Sequence, residues 1–395
     1  MLRELDQKME ELEVDAFIVY SPSNFYNPNF YYLTHIPECL GGIYVKVRYN
    51  DPIILLAADF ERDTFKRMSI VKNIATFDDF DFDDKVKKYD NKEDATLKVI
   101  EELFSAIGLT KQLEIKWYDT NFCNLSLIDR LREIGYKIKP IGYGEKNLIS
   151  ELRKTKDEQE IEWIRENGRS VEKILSETIE YIRNSKRAGD VVLYEKTGDA
   201  LTIGDVKKII NLKCVEEGLY NERGIIVAQG EEAAEPHNMG TDSKPIKINE
   251  PIVIDFYPVS MKNRYWFDTT RTIVIGRASK EVKEAYDIVL EAQQMLEDCI
   301  KNGVELMEPY KKVSEFFESK GVRNNFVHAP GHGIGLQIHE SPHFTEKDVF
   351  KVGNVITNEP GLYFKGKFGI RIEDVLIVNG NGVENLSKIS KELEY

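Results

Sequence analysis

Cysteine is scarce in this 395-residue chain: Cys39, Cys123, Cys214 and Cys299 stand far apart and form no CxxC pair. That spacing excludes a disulfide framework or a paired-cysteine metal site and predicts reduced, mostly buried thiols. Positive charge is also short. Lys and Arg total 54 against 68 Asp and Glu, a formal net charge of -14, which excludes the concentrated positive field that nucleic acid or an anionic membrane requires. No apolar run reaches the roughly 18 residues needed to span a bilayer. The opening Met1-Leu2-Arg3-Glu4-Leu5-Asp6 lacks the apolar stretch of a secretory signal. The expectation is a cytoplasmic protein without nucleic-acid or membrane partners. The densest charge run, Asp78 to Asp94, is mostly acidic and broken by Phe80, Phe82 and Tyr89, the pattern of a solvated loop or helix face.

What is present is an ordinary globular composition, 42% hydrophobic and 31% charged, in a chain long enough to bury a core without metal or disulfide staples. A metal bound here would therefore be catalytic rather than structural. Up to about residue 145, helix-like and strand-like patterns alternate. Leu2 to Leu12 and Thr96 to Ile107 have helical spacing, the latter ended by Gly108. Ala16 to Tyr20 and Leu113 to Trp117 read as strands, and Ile43 to Arg48 pairs with Pro52 to Ala57 around Tyr49-Asn50-Asp51. The result is an α/β unit with no cluster suited to chemistry. A boundary falls between Gly142 and Asp157, dividing the chain into domains 1–145 and 157–395. Asp157 with Glu160 resembles a capping box, opening a helix whose face carries Ile161, Ile164, Gly168, Val171, Leu175 and Ile182.

Four of the six histidines, His328, His332, His339 and His343, lie within sixteen residues, and Pro330-Gly331-His332-Gly333-Ile334-Gly335 frames one of them with glycine. Glycine permits close backbone approach, so this imidazole is presented without neighbouring bulk. Carboxylates also occur inside apolar strand patterns. Ile252-Val253-Ile254 runs into Asp255, and Asp268 sits in Tyr265-Trp266-Phe267-Asp268-Thr269, with a hairpin through Met261-Lys262-Asn263. Glu359 follows Val355-Ile356-Thr357-Asn358, and Glu373 lies in one apolar run from Ile370 to Val378, sharing a face with Arg371 by alternation. A buried carboxylate costs several kcal/mol unless paired, protonated or bound to metal. Four of them beside one histidine point to a shared counter-charge, and a pair of divalent ions, Mn²⁺, Co²⁺ or Zn²⁺, suits oxygen-rich ligation.

These stretches, with Pro236-His237, Glu359-Pro360-Gly361-Leu362-Tyr363 and Arg371-Ile372-Glu373-Asp374, resemble the creatinase/prolidase/methionine-aminopeptidase superfamily over essentially the whole chain. The resemblance implies an α/β protein with an N-terminal accessory domain and a C-terminal pita-bread domain. It implies two metal ions, manganese by preference, bridged by Asp268 and Glu373, with Asp255 completing one and His332 with Glu359 the other. Glu359 would also carry the proton from water to the leaving nitrogen. His339 would support the oxyanion, His237 and His328 would line the substrate site, and Arg371 would hold a ligand carboxylate or the substrate.

The accessory domain and His328, four residues before His332, resemble the Xaa-Pro peptidases. The implied activity is release of the N-terminal residue from Xaa-Pro bonds in dipeptides or short peptides. An aminopeptidase without a proline requirement is the alternative, and a metal-free binding protein on the same fold is the rival class. Three features depart from the family pattern. Asp255-Phe256-Tyr257 replaces Asp-x-Gly, the Asp255 to Asp268 interval is longer than usual, and His343 stands where such prolidases often carry an arginine for the substrate carboxylate. The aromatic stretch Asn24 to His35, with Pro28 and three asparagines, reads as a loop. In the relatives it resembles, the corresponding loop approaches a neighbouring subunit's site, which implies a homodimer and a substrate contact for His35.

Overall fold

The computed structural model describes residues 2–23, 25–89, 91–119, 122–141 and 147–395, with the backbone alone for Leu2, Arg3, Phe122 and Cys123. Asn24, the Cys123 thiol and the Gly142 end of the expected boundary lie outside the described residues. The chain divides into two compact units, Met1–Arg153 and Lys154–Tyr395. Among the described residues no helix is long and apolar enough to cross a membrane. Cys39, Cys214 and Cys299 are buried free thiols, as their spacing predicts.

In the first unit six strands make one mixed sheet: β1 (Ala16–Ser21), β2 (Gly42–Val47), β3 (Ile53–Leu56), β4 (Asn73–Thr76), β5 (Glu114–Tyr118) and β6 (Lys137–Pro140), ordered β4-β3-β2-β1-β5-β6. The expected pairing of β2 with β3 is present and antiparallel, and Tyr49 between them takes φ 68°. One face of the sheet (Ile18, Val45, Leu55, Trp117) packs with Leu97, Ile100 and Phe104 of the helix Lys92–Ala106. In the acidic run, Phe80 and Phe82 pack against this core, as does Phe77 just before it, while Asp78, Asp79, Asp83 and Asp84 face solvent.

The aromatic stretch is not a loop. Pro28–Thr34 is a helix with Phe30, Tyr31, Tyr32 and Leu33 buried. Asn27 accepts from the N–H groups of Asn29 and Phe30, at 2.9 and 3.0 Å, and Pro28 starts the helix, where its missing N–H costs nothing. The asparagine and proline that suggested a loop are a helix start. His35 closes this helix at φ 61°, with its ring stacked on Tyr31 at 6.0 Å.

The second unit opens with the expected capping box. Asp157 accepts from the Glu160 N–H at 2.9 Å, and Glu160 accepts from the Asp157 N–H at 2.8 Å, starting the helix Glu158–Asn184. Ile164, Gly168, Val171, Leu175 and Ile182 are buried along it, and Ile161 is half-buried. The short strands β7 (Arg187–Ala188) and β8 (Val191–Val192) pair with each other, while β9 (Leu219–Tyr220) pairs with β12 (Val259–Ser260). Strands β10 (Ile226–Gln229), β11 (Pro251–Phe256) and β13 (Thr269–Val274) form an antiparallel sheet. Strands β14 (His332–Gly333), β15 (Glu340–His343), β16 (Val355–Asn358), β19 (Asp374–Asn379) and β20 (Gly382–Asn385) form another, ordered β15-β14-β16-β19-β20. Between them in sequence, β17 (Gly361–Phe364) and β18 (Phe368–Arg371) make a hairpin.

Helices Lys280–Cys299 and Glu308–Ser319 bring Val289, Leu296 and Phe317 against Leu362, Ile370 and Ile372. Each such side chain contributes about 1.5–3 kcal/mol on burial, which fixes the strand ends. Two strand boundaries differ from expectation. Residues 261–268 are turn and irregular backbone apart from one antiparallel bridge of Trp266 to Val259, so Asp268 stands just before β13 rather than within a strand. The run from Ile370 to Val378 is two strands, because β18 pairs with β17 and β19 with β16. At the change of partner the Glu373 N–H donates to the Thr270 carbonyl instead, at 3.0 Å.

Candidate metal centre

Backbone pairing brings the five expected ligands together from three places. Asp255 on β11 lies opposite Thr270 of β13, the strand that Asp268 leads into. Glu373 docks on the same Thr270, whose hydroxyl donates to its Oε2 at 2.8 Å. The Glu359 N–H donates to the Pro330 carbonyl at 2.9 Å, tying the end of β16 to the histidine segment. That segment fits only because of its glycines. A Cβ on Gly331 would lie 2.2 Å from the Thr357 carbonyl oxygen, and one on Gly333 would lie 2.4 Å from that of Glu340.

Asp268, His332 and Glu373 each offer an atom within 4.8 Å of the others, a spacing that could hold a metal ion. His332 Nδ1 lies 3.1 Å from the Gly333 carbonyl and donates to it. Burial, followed by the charge of His339, pushes this imidazole down to about 3, so it is neutral near pH 7. Its bare Nε2 therefore faces Glu359 Oε1 at 3.4 Å and Asp268 Oδ2 at 3.8 Å, with lone pairs on both sides. Asp255 Oδ1, Asp268 Oδ1 and Glu373 Oε1 are buried with no hydrogen-bond partner among the described residues. Burial, then the negative charges of Asp255 and Glu359, raises Asp268 well above the carboxylate range; burial, then Asp268 and Glu359, does the same to Glu373. Burial pushes Glu359 up to about 8, with Arg371 opposing it. Orphaned oxygens, a bare imidazole nitrogen and mutually repelling carboxylates all lack a cation at one place. An oxygen-rich set with one imidazole fits a divalent metal.

Arg371 does not face outward. It is 3% exposed and donates from Nη2 to Asp255 Oδ2 at 2.5 Å, from Nε to Thr270 Oγ1 at 3.1 Å, and from Nη1 to Tyr363 and the Pro236 carbonyl at 2.7 and 3.2 Å. Of the two roles the resemblance implied, this geometry supports holding a ligand carboxylate, since four of the five guanidinium N–H groups are taken up by described residues. His328 is likewise engaged, through Nδ1 to the Ala329 carbonyl at 2.7 Å and Nε2 to the Tyr363 hydroxyl at 2.9 Å. Burial pushes it down to about 4, so the neutral ring accepts from Tyr363. The His339 ring meets that of His332 edge-on at 4.1 Å between centroids, and burial, then the charge of Arg223, lowers its pKa. His237 is exposed and follows Pro236, whose carbonyl binds Arg371. His343 is exposed and pairs with His332 across β14 and β15.

Three supporting residues were given no role by the sequence reading. Tyr363 links Arg371 to His328, and burial pushes its hydroxyl up to about 12, keeping the proton on. Gln293 donates to the carbonyls of Asn358 and Ile372, both at 3.2 Å, and so fixes the residues immediately before Glu359 and Glu373. Arg271, fully buried, pairs with Asp374 at 2.8 Å and donates to the Glu373 carbonyl at 2.7 Å. Tyr363 left a trace, a hydroxyl-bearing residue in an otherwise apolar run after a ligand. The lone polar Gln293 on an apolar helix face left a weaker one.

The sequence profile of metallopeptidase family M24 matches residues 162–380, a stretch that contains all five clustered residues. The chain is 29% identical to the Xaa-Pro dipeptidase of Pyrococcus furiosus over 396 residues, covering 99% of each. The structure of the prolidase from P. furiosus matches with a TM-score of 0.75 at 26% identity, covering 98% of this chain and 99% of that one. The Xaa-Pro dipeptidase from Bacillus anthracis gives 0.80 at 22% identity over 100% and 98%, a likeness of fold. The α/β architecture is thus the pita-bread fold that the sequence led us to expect. The unmet charge of the cluster is what a metal-dependent hydrolase needs, and it lies within the shared stretch: the chain belongs to metallopeptidase family M24.

Proposed function

We propose that this metallopeptidase releases the N-terminal residue from Xaa-Pro bonds of dipeptides or short peptides, with two divalent ions, manganese by preference, held by Asp255, Asp268, His332, Glu359 and Glu373. The observation that carries the reading is the set of three buried, unpartnered carboxylate oxygens around a neutral imidazole, in a chain similar to Xaa-Pro dipeptidases from end to end. When bound, such ions acidify a coordinated water and polarise the scissile carbonyl. The chain's own residues do the rest. Glu359, 3.4 Å from His332 and 3.9 Å from His328, carries the proton from water to the leaving nitrogen. His339, kept neutral, donates to the developing oxyanion. Arg371, Tyr363 and His328 form a relay of hydrogen bonds that holds Asp255 in place. His237 and His343, exposed at the edge of the cluster, contact the peptide.

Within this reading residues 1–145 are an accessory domain, 157–395 is the catalytic domain, and the enzyme is a cytoplasmic homodimer in which His35 meets a substrate end. The chelated protein, resupplied with Mn²⁺, Co²⁺ or Zn²⁺ in turn, is assayed on an Xaa-Pro dipeptide, its tripeptide extension and a matched Xaa-Ala peptide. Metal-dependent release with a preference for the proline peptides is expected. Full activity in rigorously metal-free protein, or equal cleavage of Xaa-Ala, rejects the proposal.

A further inference from the structure

One cation beside the metal centre, Arg223, has no anion among the described residues. Arg223 is exposed and makes no hydrogen bond or ion pair to any described residue; its guanidinium lies over the Trp266 ring, 6.0 Å from guanidinium carbon to ring centroid. Its position is set from two sides. It lies in the segment between β9 and β10, three residues before Ile226, which pairs directly with the metal-site Asp255. Trp266 beneath it is buried, precedes Asp268 by two residues, and donates its backbone N–H to the Gly335 carbonyl at 2.8 Å, in the segment leading to His339. Arg223 therefore stands on an indole platform between the Asp255–Asp268 side of the cluster and the His339 side. Its charge adds to the burial that lowers His339, and opposes the burial that raises the half-buried Tyr257, two residues past Asp255. The neighbouring acid, Glu222, is turned to the Tyr220 hydroxyl at 3.4 Å.

A guanidinium resting on an indole keeps its N–H edges free and loses little freedom on binding. Those edges match a carboxylate in a two-point hydrogen bond. With the ligand carboxylates committed to Arg371 and to metal, the anion that reaches Arg223 must come with the substrate. We propose that Arg223 recognises a carboxylate of the peptide substrate and thereby sets which peptides are cleaved. This rests on the Xaa-Pro peptidase reading and goes beyond it by assigning a selectivity residue. The carboxylate is either the C-terminal one of a dipeptide or an acidic side chain next to the scissile bond, and both present the same chemistry.

The test compares wild type, Arg223→Gln and Arg223→Lys, each with metal content measured, on alanyl-proline, alanyl-prolinamide and glutamyl-prolinamide. A lost charge-assisted, two-point contact should lower one selectivity ratio about ten-fold or more in Arg223→Gln, with a smaller drop in Arg223→Lys, which keeps the charge and loses the fork. A fall in the kcat/KM ratio of alanyl-proline to alanyl-prolinamide assigns the C-terminal carboxylate. A fall in the ratio of glutamyl- to alanyl-prolinamide assigns the side chain. Both ratios unchanged within two-fold, or an equal loss on all three substrates, overturns the proposal. If wild type with its metal cleaves none of the three, the peptidase reading itself fails and this assignment falls with it.

Discussion

Glu373 and Asp374 are neighbours in the chain, 2% and 0% exposed, and their surroundings differ in one respect. Asp374 is fully paired: Arg271 reaches it at 2.8 Å, Lys391 at 2.6 Å and the Asn385 amide at 2.8 Å. Burial pushes its carboxyl up, but Arg271 and Lys391 outweigh that and hold it below the usual range. Glu373 has Thr270 on one oxygen and no described residue on the other, and burial with Asp268 and Glu359 drives it up. Burial of charge is common to both sides of this backbone. Incomplete pairing is confined to one, and it marks the side that needs an ion from outside the chain.

The comparison breaks most visibly under substitution. Asp268→Asn or Glu373→Gln removes charge from the unpaired side and should abolish activity with loss of bound metal, while the fold persists. Asp374→Asn removes charge from the paired side and strands Arg271, which should cost about 3 kcal/mol or more of stability. Elemental analysis and thermal denaturation read the two effects separately. Loss of metal without loss of stability in Asp374→Asn would erase the distinction. Next in size, His339→Ala should lower kcat on the order of 10²–10³ with metal content retained, because this ring is assigned to the oxyanion. A variant that arrives without metal would move His339 into the ligand set.

Acid and base sharpen the same contrast without mutation. Glu359, raised from 4.5 to about 8 in the metal-free fold, contributes stability that is complete below its unfolded value and lost as pH rises through about 8. Glu373 and Asp268 act in the same direction. Asp374, lowered from 3.8, contributes stability that is present above that value and lost as pH falls. The chelated protein should therefore lose melting temperature relative to the metal-loaded protein as pH rises from about 5 to 8, and metal uptake should release protons. A gap between chelated and loaded forms that narrows on raising the pH would contradict the assignment.

Much of this site was legible in the residues, and the part that was not has physical reasons. Asp255 and Asp268 announced themselves by interrupting apolar patterns, and Gly331 and Gly333 marked the close approach around His332. The break at Glu373 was invisible because β18 and β19 are both buried, so one apolar run hides a change of pairing partner. Asn27 and Pro28 were misread because a helix start and a loop use the same residues. Arg271 drew no notice because its partner, Asp374, lies over a hundred residues further along the chain. Pairing across such a separation has no periodic signature, and neither has the nearer pairing of Tyr363 with Arg371, 8 residues on, and with His328, 35 residues back.

Tyr363 gives the mildest test, because it touches the cluster only through other residues. Tyr363→Phe keeps the ring, which packs beside His328 at 5.4 Å between centroids, and removes the hydroxyl that accepts from Arg371 and serves His328. Arg371 would still have Asp255, Thr270 and the Pro236 carbonyl, so Asp255 stays tethered and metal should be retained. A buried donor left without its acceptor costs about 1–3 kcal/mol. That loss should appear as a lower melting temperature and, where Asp255 is less firmly aimed, as a fall in kcat/KM of about ten-fold, the equivalent of about 1.4 kcal/mol. If the relay merely fills space, Tyr363→Phe will melt and turn over like wild type. If Tyr363 instead donates directly to substrate, KM will rise for every peptide while stability stays unchanged. The two measurements together therefore separate a tether from a contact.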